Sequence, residues 1–184
     1  MIYHGSSKGG IKILEPRLSE HGNSYVYFSK NKVIATIYCV KVVPSPYYWY
    51  PYGFEQGKVK YFEYYPNALE DVFKGQRGYI YCCVEDSRMY NPTNIKDVFV
   101  SDTMVRTESC YEIFDVHDKL LEYEKEDKLI IQRFDALTQR QKNYIKQMIL
   151  GEITRYDLIC NPEIEYSKFI KTRFAEIWNG LSGV

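Results

Sequence analysis

The chain has 184 residues, enough for one domain with a small helical appendage, and apolar residues make up 45% of it, which argues against disorder. Its 24 basic and 24 acidic residues give a formal net charge of +0, which argues against a broad electrostatic footprint for nucleic acid. No run approaches 18 apolar residues and no charged-then-apolar leader opens the chain, so the expectation is a soluble, cytoplasmic protein with no membrane partner.

Met1 to His4 reads as a short strand stopped by Gly5, and residues 5–24 as a loop-rich link with Gly9, Gly10, Pro16, Gly22 and Asn23. Ser24 to Ser29 is predicted as a strand from its β-branched and aromatic residues. Lys30 to Val40 follows as a helix, with Ser29 or Asn31 as cap and Val33, Ile34, Ile37 and Tyr38 on one face. Pro44 to Gly57 reads as an aromatic loop carrying Tyr47, Tyr48, Trp49, Tyr50, Tyr52 and Phe54, and Val59 to Tyr65 as a strand or a continuation of that loop. Ala68 to Lys74 is a short helix ended by Gly75, and Gly78 to Glu85 is the clearest buried strand. Val98 to Val100 and Val105 to Phe114 are further strands; in the second, Glu108, Cys110 and Glu112 alternate with Ser109, Tyr111 and Ile113.

The C-terminal third is helical, over Leu137 to Glu152 and Ile164 to Leu181. In the latter, Tyr166, Phe169, Ile170, Phe174, Ile177, Trp178 and Leu181 recur at helical spacing, a stripe that reads as core packing. The predicted class is α+β, with a strand-rich domain over residues 1–120 and a helical extension, 121–184, packed on the same domain.

Five cysteines (Cys39, Cys82, Cys83, Cys110 and Cys160) are odd in number and lack metal-type CxxC spacing; all five read as reduced thiols, and no metal is expected. Tyrosine is abundant, at 19 residues. Its ring stacks and its hydroxyl bonds, which suits ligand surfaces, although for most of the 19 a biased composition is explanation enough.

Two short motifs carry chemistry. Tyr3-His4-Gly5-Ser6 lies on the first strand; Tyr25-Val26-Tyr27-Phe28-Ser29 forms the second and runs straight into a helix. Together they resemble the NAD-binding start of the ADP-ribosyltransferase superfamily of the His-Tyr-Glu type, where a His-Gly-Thr/Ser strand is followed by a Val-Tyr-Phe-Ala/Thr/Ser strand and a helix rich in small residues. The likeness covers residues 2–40 well and 78–116 loosely; 44–75 has no counterpart. It implies split, mostly antiparallel sheets around an NAD cleft, with the added C-terminal helices outside.

Cleaving the bond between nicotinamide and ribose passes through an oxocarbenium-like transition state, so the site must hold the ring, orient the ribose and set a carboxylate near the developing charge. On the resemblance, His4 bonds a ribose or adenosine hydroxyl, and Gly5 lets its backbone approach the carboxamide. Tyr27 stacks on the nicotinamide with Tyr38 as second stacking candidate, and Ser6 and Ser29 complete the NAD-binding set. The poly(ADP-ribose) polymerase branch places its glutamate at the opening of a late strand written like Asn-Glu-Tyr-Ile-Val-Tyr-Asp. Here Glu108 opens Glu108-Ser109-Cys110-Tyr111-Glu112-Ile113-Phe114-Asp115, and Glu112 shares its face. Glu108 is preferred as the catalytic acid because a strand mouth reaches a cleft.

The rifampicin-modifying branch, similar in length, keeps its acid in a motif like Asp-Asp-Pro-Asn. This chain has Tyr90-Asn91-Pro92-Thr93 there, which speaks against antibiotic modification. Two functions stand: a mono-ADP-ribosyltransferase using NAD and an acceptor (protein, nucleic acid or small molecule), or a non-catalytic NAD or ADP-ribose-binding module of the same fold. An RNA 2′-phosphotransferase would need several arginines around the cleft; Arg17, Arg77, Arg88 and Arg106 are present without that motif.

Overall fold

The computed structural model describes residues 1–18, 22–40 and 51–182. Its elements, in chain order, are β1 (Ile2–Ser6), β2 (Ile13–Leu14), β3 (Arg17–Leu18), β4 (Ser24–Ser29), α1 (Lys32–Ile37), β5 (Tyr52–Glu55), β6 (Lys58–Phe62), α2 (Ala68–Phe73), β7 (Gly78–Cys83), β8 (Val98–Ser101), β9 (Val105–Arg106), β10 (Ser109–Ile113), α3 (Val116–Lys125), β11 (Leu129–Gln132), a 3₁₀ turn (Phe134–Ala136), α4 (Gln139–Arg155), α5 (Glu165–Arg173) and α6 (Ala175–Ser182). The class is α+β with antiparallel sheets. The chain divides into two compact units, Met1–Val40 with Phe73–Leu129, and Lys41–Val72 with Ile130–Val184.

In the first unit the strands run β10-β7-β1-β4-β3, with β8 also paired to β4. The first strand does not stop at Gly5. It continues to Ser6 because β7 pairs with its whole length, from Ile2↔Cys83 to Ser6↔Tyr79. The expected loop over 5–24 holds two short strands, β2 against β9 and β3 against β4. Within α1, Asn31 is the cap: its Oδ1 accepts from the Val33 N–H at 2.9 Å, while the Ser29 Oγ accepts from the Asn31 N–H at 3.0 Å. Packing of α1 on the sheet needs two residues without side chains. A Cβ on Gly5 would lie 1.8 Å from the Ala35 carbonyl oxygen, and one on Gly78 would lie 2.5 Å from the Cys39 Cβ.

The strand expected over 105–114 is cut at Thr107-Glu108, where the chain changes partner: β9 pairs with β2, and β10 pairs with β7. Asp115 then caps α3, accepting from the N–H groups of His117 and Asp118 and, with its other oxygen, from Gly75. This helix buries Val116, Leu120 and Tyr123, at positions one turn apart.

The second unit carries the three-stranded sheet β11-β6-β5. Residues 44–50 of the expected aromatic loop lie outside the described residues. Its remainder is a hairpin, β5 turning into β6 through Gln56 and Gly57, both with positive φ (51° and 81°), the conformation a two-residue hairpin turn demands. The helix expected over 164–181 breaks at Phe174 (φ −126°, ψ 43°) into α5 and α6. The stripe nevertheless packs as expected: Tyr166, Ile170, Phe174 and Trp178 join Tyr65, Ile145, Ile149 and Leu158 in one core, and of the predicted stripe Leu181 is exposed. Two carboxylates tie this unit together. Glu63 is buried and accepts from the backbone N–H groups of Leu69 and Phe134, and Asp71 takes a two-pronged bond from Arg173 at 2.8 and 2.7 Å.

Candidate functional site

The sheet of the first unit is opened between β1 and β4. These strands share one cross-strand pair, Tyr3↔Ser29, whereas β1 pairs with β7 over five residues. The two sequence motifs thus face each other across strands that part towards Ser6 and Tyr25. A side chain spans the parting: His4 Nδ1 lies 2.8 Å from the Tyr27 carbonyl oxygen. A carbonyl only accepts, so Nδ1 carries the proton and donates it, leaving Nε2 of the neutral ring as an acceptor. The ring meets Phe28 edge-on with centroids 6.0 Å apart and lies 6.3 Å from the Tyr81 ring.

Burial holds the His4 pKa below the ordinary 6.5; the bond to the Tyr27 carbonyl opposes that shift, and the charge of Arg17 adds to it. The unfolded chain therefore takes up a proton at a pH where the folded ring stays neutral. Stability from this group is complete above about pH 6.5 and is lost as pH falls through the lower folded value. We expect the thermal midpoint to fall below that pH, and to fall less steeply in His4→Gln; equal slopes for the two proteins would contradict the assignment.

Strand alternation sorts the other predicted residues onto two faces. One face carries Ile2, His4 and Ser6 of β1 with Cys83, Tyr81 and Tyr79 of β7 and Cys110 and Glu112 of β10. Much of it is closed by a core of Ile2, Leu14, Val26, Phe28, Tyr81 and Cys83, onto which Ile11 and Val105 pack. The opposite face carries Gly5, Tyr25, Tyr27 and Ser29. There Tyr27 meets Tyr25 edge-on at 6.1 Å, Tyr25 meets Tyr90 in the same way at 6.1 Å, and the Tyr25 and Tyr90 hydroxyls lie 3.2 Å apart. Tyr38 is half-buried and closes the C-terminal end of α1 through its N–H to the Ile34 carbonyl. Ser29 is buried with its hydroxyl engaged at the start of α1, and the Ser6 hydroxyl accepts from the Lys8 N–H at 3.1 Å.

The predicted carboxylates are set apart from Tyr27. In the sheet order, β10 is separated from β4 by both β7 and β1. Glu108 precedes β10, its N–H bonded to the Cys82 carbonyl, at the end of the sheet that holds Ile2 and Cys83. Glu112 lies on the His4 face, where its Oε1 accepts from the Tyr79 hydroxyl at 3.4 Å and from Arg77 at 3.3 Å. The residue of β10 in line with His4 and Tyr81 is Cys110.

The strand directly beside β4 is β8, with Tyr27 opposite Val100 and Ser29 opposite Val98. Two carboxylates flank it. Asp97 opens it, half-buried, with φ +61° and its carbonyl accepting from the Lys30 N–H at 3.0 Å; Asp102 follows its last residue and is exposed. Sequence reasoning passed over Asp97, yet a signal was present. Asp97-Val98-Phe99-Val100-Ser101-Asp102 has an acid at the strand mouth and an aspartate five residues later, the spacing of the polymerase-branch pattern and one that Glu108 to Asp115 lacks. Asn91, at the place of the other branch's acid, is spent on its own loop: it accepts from the Thr93 N–H and hydroxyl and donates to the Ile95 carbonyl.

All five cysteines are free thiols, and burial pushes those of Cys39 and Cys83 up to about 12. Among the described residues one group of metal-ligand type gathers within 4.8 Å, Asp115, His117 and Asp118, but the Asp115 oxygens already cap α3 and hold Gly75. No helix of the described residues is long and apolar enough to cross a membrane. No family model, curated protein or solved structure matches the chain.

Proposed function

We propose that the first unit is an ADP-ribosyltransferase-like domain that takes NAD as substrate, cleaves its nicotinamide–ribose bond and passes ADP-ribose to an acceptor of protein, nucleic-acid or small-molecule class. The observation that carries the reading is the His4–Tyr27 bond across the parted strands, which joins the His-Gly-Ser and Tyr-Phe-Ser motifs at one place. In this reading the ligand enters the parting between β1 and β4, where Nε2 of His4 accepts a ribose hydroxyl from one face while, on the other, the Gly5 backbone meets the carboxamide and Tyr27 stacks on the ring, with Tyr38 as the second wall.

The carboxylate that stabilises the oxocarbenium-like charge is Asp97, because β8 adjoins the strand of Tyr27 while β10 does not. Glu108 and Glu112 are the competing assignments. A second reading, a module that binds NAD without turnover, is favoured by one observation: Cys110, not an acid, stands abreast of His4 on β10.

Titration calorimetry with NAD, nicotinamide and ADP-ribose at millimolar concentration tests binding. Tyr27→Ala is expected to weaken NAD by about 1–3 kcal/mol, the value of a buried stacking ring. Absence of heat with all three ligands would end both readings, and an unchanged affinity in Tyr27→Ala would remove the stacking role.

A further inference from the structure

We infer that Arg17 anchors a phosphate of the dinucleotide, one ribose away from the ring held at Tyr27; the inference rests on the NAD reading above. Arg17 stands opposite Tyr25 in the β3–β4 pair, so its side chain belongs to the face of Tyr25 and Tyr27. Tyr25 is two residues from Tyr27 along β4, about 7 Å at the rise of an extended strand. A ligand with its flat ring at Tyr27 and its long axis along the strand brings its next charged group to Arg17.

The other arginines of this unit are placed for different work. Arg77 is held by Glu112 at 3.3 Å, and Arg88 is gripped two-pronged by Asp86 at 2.9 and 2.6 Å. Arg106 lies on β9, paired with Ile13 of β2. Arg17 is exposed and forms no ion pair with a carboxylate among the described residues, so its planar fork is open to an anion. Nicotinamide is neutral and gains nothing from such a group; a diphosphate gains a charge-assisted, two-pronged bond.

The test is calorimetry on wild type, Arg17→Gln, Arg17→Lys and Arg106→Gln with NAD, ADP-ribose, nicotinamide and inorganic pyrophosphate, at about 50 and 300 mM salt. We expect Arg17→Gln to weaken NAD and ADP-ribose about tenfold or more and to flatten their salt dependence. Arg17→Lys should fall between, because it keeps the charge and loses the fork. Nicotinamide binding should be the same in all four proteins, and Arg106→Gln should match wild type throughout. Unchanged ADP-ribose affinity in Arg17→Gln, with wild type binding NAD, overturns the anchor and leaves the NAD reading standing. An equal loss of nicotinamide in Arg17→Gln also overturns it, since that marks a disturbed fold. Pyrophosphate bound through Arg17 by a protein that ignores NAD keeps the anchor and removes the NAD reading, and a wild type that binds none of the four removes both.

Discussion

Asp97→Asn is expected to reduce nicotinamide release from NAD by about 10²–10³, the loss typical of a preorganised electrostatic group, with little change in NAD affinity. The substitution keeps the shape of the side chain and deletes its charge. That charge matters when the bond to nicotinamide is breaking and C1′ turns cationic, and much less in the ground-state complex. Asp97 has positive φ, a conformation that asparagine, like aspartate, tolerates better than most side chains do. Three controls bracket the result. Asp102→Asn removes the other carboxylate flanking β8, and Glu108→Gln and Glu112→Gln remove the two on the β10 side. The assay is nicotinamide release with and without cell lysate as a source of acceptor. Full turnover in Asp97→Asn with loss in Glu108→Gln or Glu112→Gln would move the acid to β10. A wild type that binds NAD and never releases nicotinamide would favour the binding module.

What the sequence disclosed was mostly local. Ser24–Ser29 is a strand as read, and the strand read over Gly78 to Glu85 forms but ends at Cys83, because β-branched and aromatic runs of that length have few alternatives. The helical stripe from Tyr166 to Trp178 packs as its spacing required. The break at Phe174 stayed hidden because the apolar spacing carries on across it: Phe174 still accepts from the N–H groups of Ile177 and Trp178. Helix α3 had a readable signal, Asp115 as cap and Val116, Leu120 and Tyr123 at one-turn intervals, diluted by the charged residues between them. Partner choice was the main thing not legible. Val98 to Val100 is plainly strand-like, yet nothing local says that it pairs with β4, or that Ser109 to Ile113 pairs with β7. Those pairings are settled by long-range packing, and they decide which carboxylate-bearing strand adjoins β4. The same holds for 51–72, whose Tyr65 and Ala68 share a core with residues after 136.

Gly5→Ala should be the most destabilising single-methyl change in the first unit. Gly5 does not have positive φ, so alanine can adopt its backbone conformation and the cost is purely one of space. The added Cβ would lie 1.8 Å from the Ala35 carbonyl oxygen, 2.9 Å from its carbon and 3.1 Å from the Cys39 nitrogen. These are backbone atoms, which cannot rotate away as the end of a side chain can. Helix α1 must lift from β1, and the residues buried beneath it, Val33, Ile34 and Ile37 among them, lose their packing. Overpacking of a close-packed core costs about 1–3 kcal/mol, and a contact with rigid backbone belongs at or above the upper end. The same displacement moves Tyr38, which closes the helix, and Ser29 and Asn31, which open it, so NAD affinity should drop together with stability. Gly151→Ala is the control of opposite sign. It lies inside α4 with nothing within 4 Å of its added Cβ, and should stabilise by about 0.5–1 kcal/mol through helix propensity. Denaturant unfolding of both variants, followed by NAD titration of the folded protein, reads the two effects. Wild-type stability in Gly5→Ala would show that α1 is not seated on β1 through this contact, and would take away the placement of Tyr38 on which the second stacking wall depends.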